Sequence, residues 1–336
     1  MNEFGESGPQ TTPIDAAIQE KVQKIQALEQ EIAKVVVGQR KMINRLLIGL
    51  FTNGHILLEG VPGLAKTLTI SSLAQVLHLD FSRIQFTPDL LPADLIGTLI
   101  YNQKTGSFEV KKGPIFANIV LADEINRSPA KVQSALLESM QEKQVTIGDD
   151  TFKLDRPFLV LATQNPVEQE GTYPLPEAQV DRFMMKVHID YPTREEEKEI
   201  MRRMARTTQV EPLRPIMTKN EIFQVRSIVD HITLSEHLED YIVNIVLASR
   251  NPKQFRLEKI APYIEFGASP RASIALNIAA KCHAFMQGRA YTMPEDIKAI
   301  APDVLNHRII LNYEAEAEEI TSQMIVDEIL RTIPIN

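Results

Sequence analysis

The sequence predicts an α/β fold, a parallel sheet between helices, followed by a smaller all-α domain. Three observations predict it. From His55 onward, short apolar runs alternate with helical patterns, the layout of parallel strands joined by crossover helices. A glycine-bearing loop, Gly60 to Thr67, lies directly between one such run and a helical pattern. After Tyr191-Pro192-Thr193 the strand signal stops, and the chain reads as helices up to Ile333. The expected division is a disordered tail over 1–11, an α/β domain over 12–192 and a helical domain over 193–336.

The first helix is expected to start at Thr12-Pro13, a hydroxyl N-cap followed by proline at the first helical position, with Asp15 in the first turn. Ile14, Ile18, Val22, Ile25, Leu28 and Ile32 recur at steps of three and four, which makes one apolar stripe. A second helical pattern runs from about Gln39 to Phe51 and stops at Asn53-Gly54. The strand candidates are Ile56 to Leu58, Arg83 to Phe86, Ile119 to Ala122 and Phe158 to Thr163, each short enough for a buried central strand. Two alternating pairs interrupt them and predict inserted β-hairpins: Thr98 to Tyr101 with Ser107 to Val110, and Gln144 to Ile147 with Thr151 to Leu154. Met184 and Met185 read as packing residues. The run Arg194 to Glu199 reads as the solvated first turn of a helix, where acidic side chains favour the dipole.

Composition removes several classes of function. A length of 336 residues suits two domains of roughly 150, and 44% hydrophobic content can give each a core. Lys and Arg total 36 against 44 Asp and Glu, a net charge of -8, so no chain-wide positive field holds duplex DNA or an anionic membrane. No apolar run approaches the ~18 to 20 residues of a membrane span, and Met1 to Gln10 lack a signal-peptide pattern. The single cysteine, Cys282, excludes an intramolecular disulfide. It also excludes a structural zinc site, because the histidines, among them His55, His78, His188 and His283, stand without ligand spacing. This usage fits a reducing cytoplasm.

The chemistry-bearing segment is Gly60-Val61-Pro62-Gly63-Leu64-Ala65-Lys66-Thr67, with Leu68 opening the next helix. Holding a polyphosphate takes successive backbone N–H groups at a helix N-terminus, which a strand, loop and helix in this order supply. Lys66 adds a point charge for the terminal phosphates, and the Thr67 hydroxyl suits Mg²⁺. Ala65 replaces the second glycine of the general pattern. It is expected to enter the helix with negative φ, leaving Gly63 to supply any positive φ.

The run Ile119 to Ala122 ends in Asp123-Glu124, two acids at the carboxyl end of a parallel strand, where open α/β sheets bind ligands. Asp123 can hold Mg²⁺ through water, and Glu124 can deprotonate a water attacking the γ-phosphate. The alternative is that both acids merely end the strand and cap the helix near Ser128-Pro129. Phe158 to Thr163 ends in Gln164-Asn165-Pro166; the Asn165 amide could hold that water, although Asn-Pro is also a common turn opener.

The loop Gly60 to Thr67, the block Leu121 to Glu138 with Asp123-Glu124-Ile125-Asn126-Arg127, and Leu175 to Phe183 together resemble the MoxR family of AAA+ ATPases, from about Val35 to the C-terminus. The alanine at 65 is usual there. The resemblance implies a RecA-like P-loop domain with a helical lid, assembled as a ring, a hexamer, with ATP between subunits and Mg²⁺ beside it. It assigns Asn165 to sensor 1, Arg271 to sensor 2 and Arg182 to an arginine finger reaching a neighbour's γ-phosphate. Spacing alone reads Arg182 as a surface arginine. It places adenine against Val37 and Gly38, matches the two hairpins to family inserts, and offers Gln85, in competition with Arg83, as a polar switch on the second strand. The implied role is chaperone-like remodelling of a protein client, with a von Willebrand factor A domain protein as one candidate and lid rotation transmitted to the hairpins. A small-molecule kinase is the first alternative; it is disfavoured because a water-activating acid would waste ATP. A DNA-acting motor or loader is the second, lowered by the acidic balance. A scaffold that binds ATP without turnover is the third.

Overall fold

A computed structural model of the chain describes residues 13–165, 171–205 and 212–335. The tail over 1–11, the Thr12 cap and Pro166 lie outside those residues. The first helix, α1 (Pro13–Ile32), buries Ile18, Val22, Ile25, Leu28 and Ile32 along the expected stripe. α2 (Arg40–Thr52) ends at Asn53, which adopts the left-handed conformation that asparagine tolerates. The α/β series follows as β1 (Ile56–Glu59), α3 (Lys66–Val76), β2 (Phe81–Gln85), α4 (Pro92–Ile96), the hairpin β3 (Gly97–Asn102) with β4 (Ser107–Lys112), and β5 (Ile119–Asp123). It continues with α5 (Ala130–Glu142), the hairpin β6 (Gln144–Ile147) with β7 (Asp150–Lys153), β8 (Leu159–Gln164), α6 (Glu177–Val180) and β9 (Met185–His188).

The central sheet has the order β2-β5-β8-β1-β9, and every pairing is parallel. In β1, β5 and β8 successive residues feed opposite cores. Ile56, Leu58, Ile119 and Leu121 face α1, α2 and α3, whereas Leu57, Val120 and Ala122 face α5. Both faces are covered, which is why these strands read as uninterrupted apolar runs. β2 departs from the expected central position. It is an edge strand in which only Ile84 is buried, leaving Arg83 and Gln85 exposed. The other edge, β9, was not foreseen as a strand; two apolar residues, Met185 and Val187, alternating with Lys186 and His188 carry too little signal.

The hairpins pack on each other. Leu99 of β3 sits over the β6–β7 turn so closely that a Cβ added to Gly148 would lie 2.7 Å from its Cδ1. Lys112 of β4 lies 4.7 Å from the ring centre of Phe116 and 5.6 Å from that of Phe152 in β7. Tyr101 and Phe108 face each other across the first hairpin at 5.3 Å and remain exposed to solvent.

The remaining elements are α7 (Arg194–Met204), opened by a Thr193/Glu196 capping box, then α8 (Lys219–Asp230), α9 (Glu236–Arg250), β10 (Ile264–Phe266), α10 (Pro270–Met286), α11 (Pro294–Leu305), β11 (Ile310–Leu311), α12 (Tyr313–Ala317) and α13 (Ser322–Thr332). The expectation of an all-helical lid is corrected by β10 and β11, a short antiparallel pair. Runs of two and three residues hold no readable period. The lid shares an apolar core with α1 and α2. Two buried arginines also tie it down. Arg308 donates to Asp181 Oδ1 at 2.8 Å, to the Phe183 carbonyl at 2.7 Å and to the Met184 carbonyl at 3.0 Å. Arg45 donates to Asp303 Oδ2 at 2.7 Å. Removing one partner of such a pair strands a buried charge, which costs about 3–5 kcal/mol.

His55, just before β1, is a core residue. Its Nδ1 accepts from the Val160 N–H at 2.9 Å and its Nε2 faces the Met140 carbonyl at 3.2 Å, so the neutral Nε2–H tautomer fits. Burial lowers its pKa to about 4, helped by Lys143 and Arg226, although the bond to Met140 opposes the shift. The unfolded chain takes up this proton near 6.5, so the stability contribution is complete above that pH and is lost as the pH falls toward about 4. The urea midpoint is therefore expected to fall between about pH 7 and about pH 5, with a shallower slope in His55→Gln. Equal slopes in the two proteins would show that His55 is not held neutral.

Candidate active site

The loop from Gly60 to Ala65 turns the chain from the end of β1 into α3. Gly60 is required sterically, because a Cβ there would stand 2.9 Å from the Ile189 carbonyl. Gly63 has φ 87°. Ala65, contrary to expectation, is also left-handed, with φ 55° and ψ 21° as the N-cap of α3. Two left-handed residues are what reverse the backbone in so short a span, and this conformation costs a non-glycine residue about 1–2 kcal/mol. The Ala65 carbonyl then accepts from the Thr69 N–H at 2.9 Å and the Thr69 hydroxyl at 3.0 Å, which starts the helix.

Lys66 reaches back across the loop and donates to the Gly60 carbonyl at 2.6 Å. Burial lowers its pKa, while Asp123 and Glu124 act in the opposite direction. These acids stand at the end of β5, in register with Gln85 on one side and next to Thr163 on the other. The Thr163 hydroxyl accepts from the Glu124 N–H at 2.8 Å and donates to Asp123 Oδ1 at 2.7 Å. Arg83 donates to Asp123 Oδ2 at 2.6 Å. Gln85 donates to Glu124 Oε2 at 2.8 Å, and Arg127 lies 3.2 Å from that same oxygen. Glu124 itself has φ 58°. It heads a 3-10 turn, Ile125–Arg127, that separates it from α5, so the pair does not cap that helix.

Pro62, Gly63, Leu64, Ala65, Lys66, Thr67, Leu68, Arg83, Asp123, Glu124, Thr163 and Asn165 line one cavity of about 400 Å³. A second, of about 240 Å³, shares Gly63, Leu64, Ala65 and Leu68 and is walled by Val37, Gln39, Ile189 and Tyr191. One continuous cleft thus offers a polar end with a cation and acids and an apolar end. Gly38, with φ 70°, lines an adjoining cavity rather than the apolar end. Gly60 and Val61 line neither end; Gly60 supplies the Lys66 acceptor, and Val61 packs on the core. Thr67 and Asp123 give hard oxygen donors beside Lys66, a set that fits Mg²⁺ with phosphate. Arg83 already sets a positive charge against Asp123, as a metal ion would.

Arg182 and Arg271 are brought together elsewhere. They line a separate cavity of about 260 Å³ with Asn53, His55, Leu137 and Lys143, and this cavity shares no lining residue with the phosphate end. Asp181 anchors the region: it accepts from Ser269 Oγ at 3.0 Å and from Arg308, and it lies 3.6 Å from Arg271. Sequence reasoning missed Thr163 as the bridge between the acids, and it treated Arg83 only as a rival to Gln85. Once β5 and β8 are aligned as neighbours, the hydroxyl position follows from register.

Residues 55–185 match the model of the ATPase family associated with various cellular activities, and residues 257–329 match an AAA lid domain. The chain is 48% identical over 305 residues to Chaperone MoxR1 of Mycobacterium tuberculosis, covering 91% of this chain and 80% of that one. It is 31% identical over 339 residues to Protein MoxR of Methylorubrum extorquens, covering 96% and 98%. A crystal structure of a candidate ATPase from Cytophaga hutchinsonii superposes with TM-score 0.91 at 61% identity, covering 96% of this chain and 98% of that one.

The strain at position 65 is testable. Ala65→Gly removes the left-handed penalty and adds glycine's unfolded-state entropy, so a net gain of about 0.5–1 kcal/mol is expected in urea unfolding. A loss of stability would mean that residue 65 carries no such strain.

Proposed function

Because the chain belongs to the MoxR family of AAA ATPases and is an ATP hydrolase, we propose that neighbouring copies complete its site in a hexameric ring and that turnover remodels a protein client. The observation that carries this reading is the separation of Arg182 and Arg271 from their own phosphate cavity. Each chain then has a cleft with every element except the arginines and, apart from it, a pair of arginines without a phosphate to meet. An arginine supplied by the adjacent subunit stabilises charge on the transferring phosphoryl group and ties turnover to assembly.

In this reading adenine lies against Val37 and the apolar end, and the backbone from Gly60 to Thr67 wraps the phosphates. Lys66 exchanges the Gly60 carbonyl for phosphate oxygens. Thr67 and Asp123 would hold Mg²⁺, which when bound neutralises charge on the β- and γ-phosphates. Glu124 takes the proton of the attacking water, and Asn165 orients that water. The Gln85 amide, bonded to Glu124 Oε2, holds the base away from water until the strand end shifts. Arg271 joins Arg182 at the neighbour's phosphates. The exposed Tyr101–Phe108 pair is the contact offered to a client, for which a von Willebrand factor A domain protein is one candidate. Among the described residues no helix is long and apolar enough to cross a membrane, and the net charge of -8 favours a protein client over nucleic acid, in a cytoplasmic setting.

Steady-state ATPase across a range of protein concentrations tests the reading. Wild-type turnover per subunit should rise with concentration. Glu124→Gln should lose about 10²- to 10⁴-fold in kcat while still binding ATP. Arg182→Ala should lose both most of its turnover and the dependence on concentration. Full activity in Arg182→Ala would refute completion by a neighbour.

A further inference from the structure

Gln133 of α5 is fully buried and lies outside both arginine and phosphate cavities, yet its amide touches two segments that the reading above assigns to different active sites. Nε2 lies 3.2 Å from the Ile125 carbonyl and 3.1 Å from the Ser128 carbonyl, at the two ends of the turn that follows Glu124. It also lies 2.9 Å from the Tyr173 carbonyl, in the segment that leads through α6 to Arg182. The Tyr173 N–H in turn donates to the Asn126 carbonyl at 2.6 Å, so that residue is held to the acid turn from both sides. α6 passes without a break into the finger: the Val180 N–H donates to Pro176 at 3.1 Å and the Arg182 N–H to Gln179 at 3.2 Å.

Two physical points make this amide more than packing. Three carbonyls surround Nε2, so the side chain must present its NH₂ group there; the reverse orientation would set Oε1 against three like dipoles. An NH₂ group carries only two hydrogens, so the three acceptors cannot all be satisfied at once. Among the described residues Oε1 meets no donor. An unpaired buried carbonyl costs about 1–3 kcal/mol, so packing alone would favour an apolar side chain of this length. The amide stands where it links Glu124's turn to Arg182's segment, and exchanging one acceptor for another would shift one against the other.

We propose that Gln133 is a positioning residue that couples the acid at a subunit's own nucleotide to the arginine that the same subunit presents to its neighbour. This rests on the reading that Arg182 acts in trans. A change in the turn at Glu124 on nucleotide binding or hydrolysis alters which carbonyls hold the amide, and the 173–182 segment follows. ATP occupancy in one subunit thereby sets finger geometry for the next.

The test is a double-mutant cycle in ATPase activity with wild type, Gln133→Met, Arg182→Ala and the double variant. Met keeps the length and apolar volume, removes the donor and also removes the orphan Oε1, so the thermal midpoint should stay near that of wild type. For Gln133→Met the ATP dissociation constant should stay within about twofold while kcat falls about tenfold, the loss of one hydrogen bond's worth of positioning. The double variant should be no slower than Arg182→Ala, whose residual rate is read at high enzyme concentration above a Lys66→Ala blank. Multiplying fold-losses in the double variant, or an unchanged kcat in Gln133→Met, would overturn the coupling while leaving the trans finger intact. Undiminished turnover in Arg182→Ala would overturn the trans finger and the coupling together.

Discussion

The alignment of four strand ends governs this molecule. Because β2, β5, β8 and β1 all run the same way, Gln85, Asp123, Gln164 and Glu59 finish at one end of the sheet, with Thr163 beside Asp123. The helix that begins at Lys66 and the acids that end β5 therefore face the same cleft, although β8 lies between their strands. Register is fixed by burial on both faces. A one-residue slip of β5 would exchange the core each side chain enters and carry Asp123 off the Thr163 hydroxyl.

That rigidity lets the edge hold uncomfortable conformations. Ala65 and Glu124 are both left-handed, at a cost of about 1–3 kcal/mol each. The hydrogen bond from the Glu124 N–H to Thr163 and the helix start at Ala65 make these conformations part of the framework. At the polar end of the cleft, Lys66, Asp123 and Glu124 each have a partner within the chain. Lys66 takes the Gly60 carbonyl, Asp123 takes Arg83 and Glu124 takes Gln85 and Arg127. These groups are preorganised, and under the proposed reading phosphate and metal would exchange with partners already in place.

Much of this was legible in the sequence for physical reasons. Central strands buried on both faces leave apolar runs that cannot be mistaken for loops, and β1, β5 and β8 were read directly. The hairpins announced themselves by alternation around Asn102–Gly106 and Gly148–Asp150. The edges were not legible: β2 was read as central, and β9 was overlooked because half of its side chains meet solvent. The left-handed Ala65 was misjudged because backbone conformation at a helix start depends on the angle between strand and helix, which composition does not encode. Likewise, the family resemblance named Arg182 and Arg271, but only the fold shows that they line one cavity, with Arg271 beside an Asp181 held by Arg308. Thr163 and Gln133 carried no local signal; each acts through a neighbour distant in sequence.

The most direct test of a shared site is complementation. Under the proposed reading, Glu124→Gln keeps the finger and loses the base of its cleft, and Arg182→Ala has the reverse. Mixed in equal amounts and allowed to reassemble, the two should recover ATP turnover well above the sum of their separate rates, because some clefts with Glu124 will then face a neighbour with Arg182. A mixture as inactive as its components, with mixed assembly verified by a tag on one of them, would contradict the account.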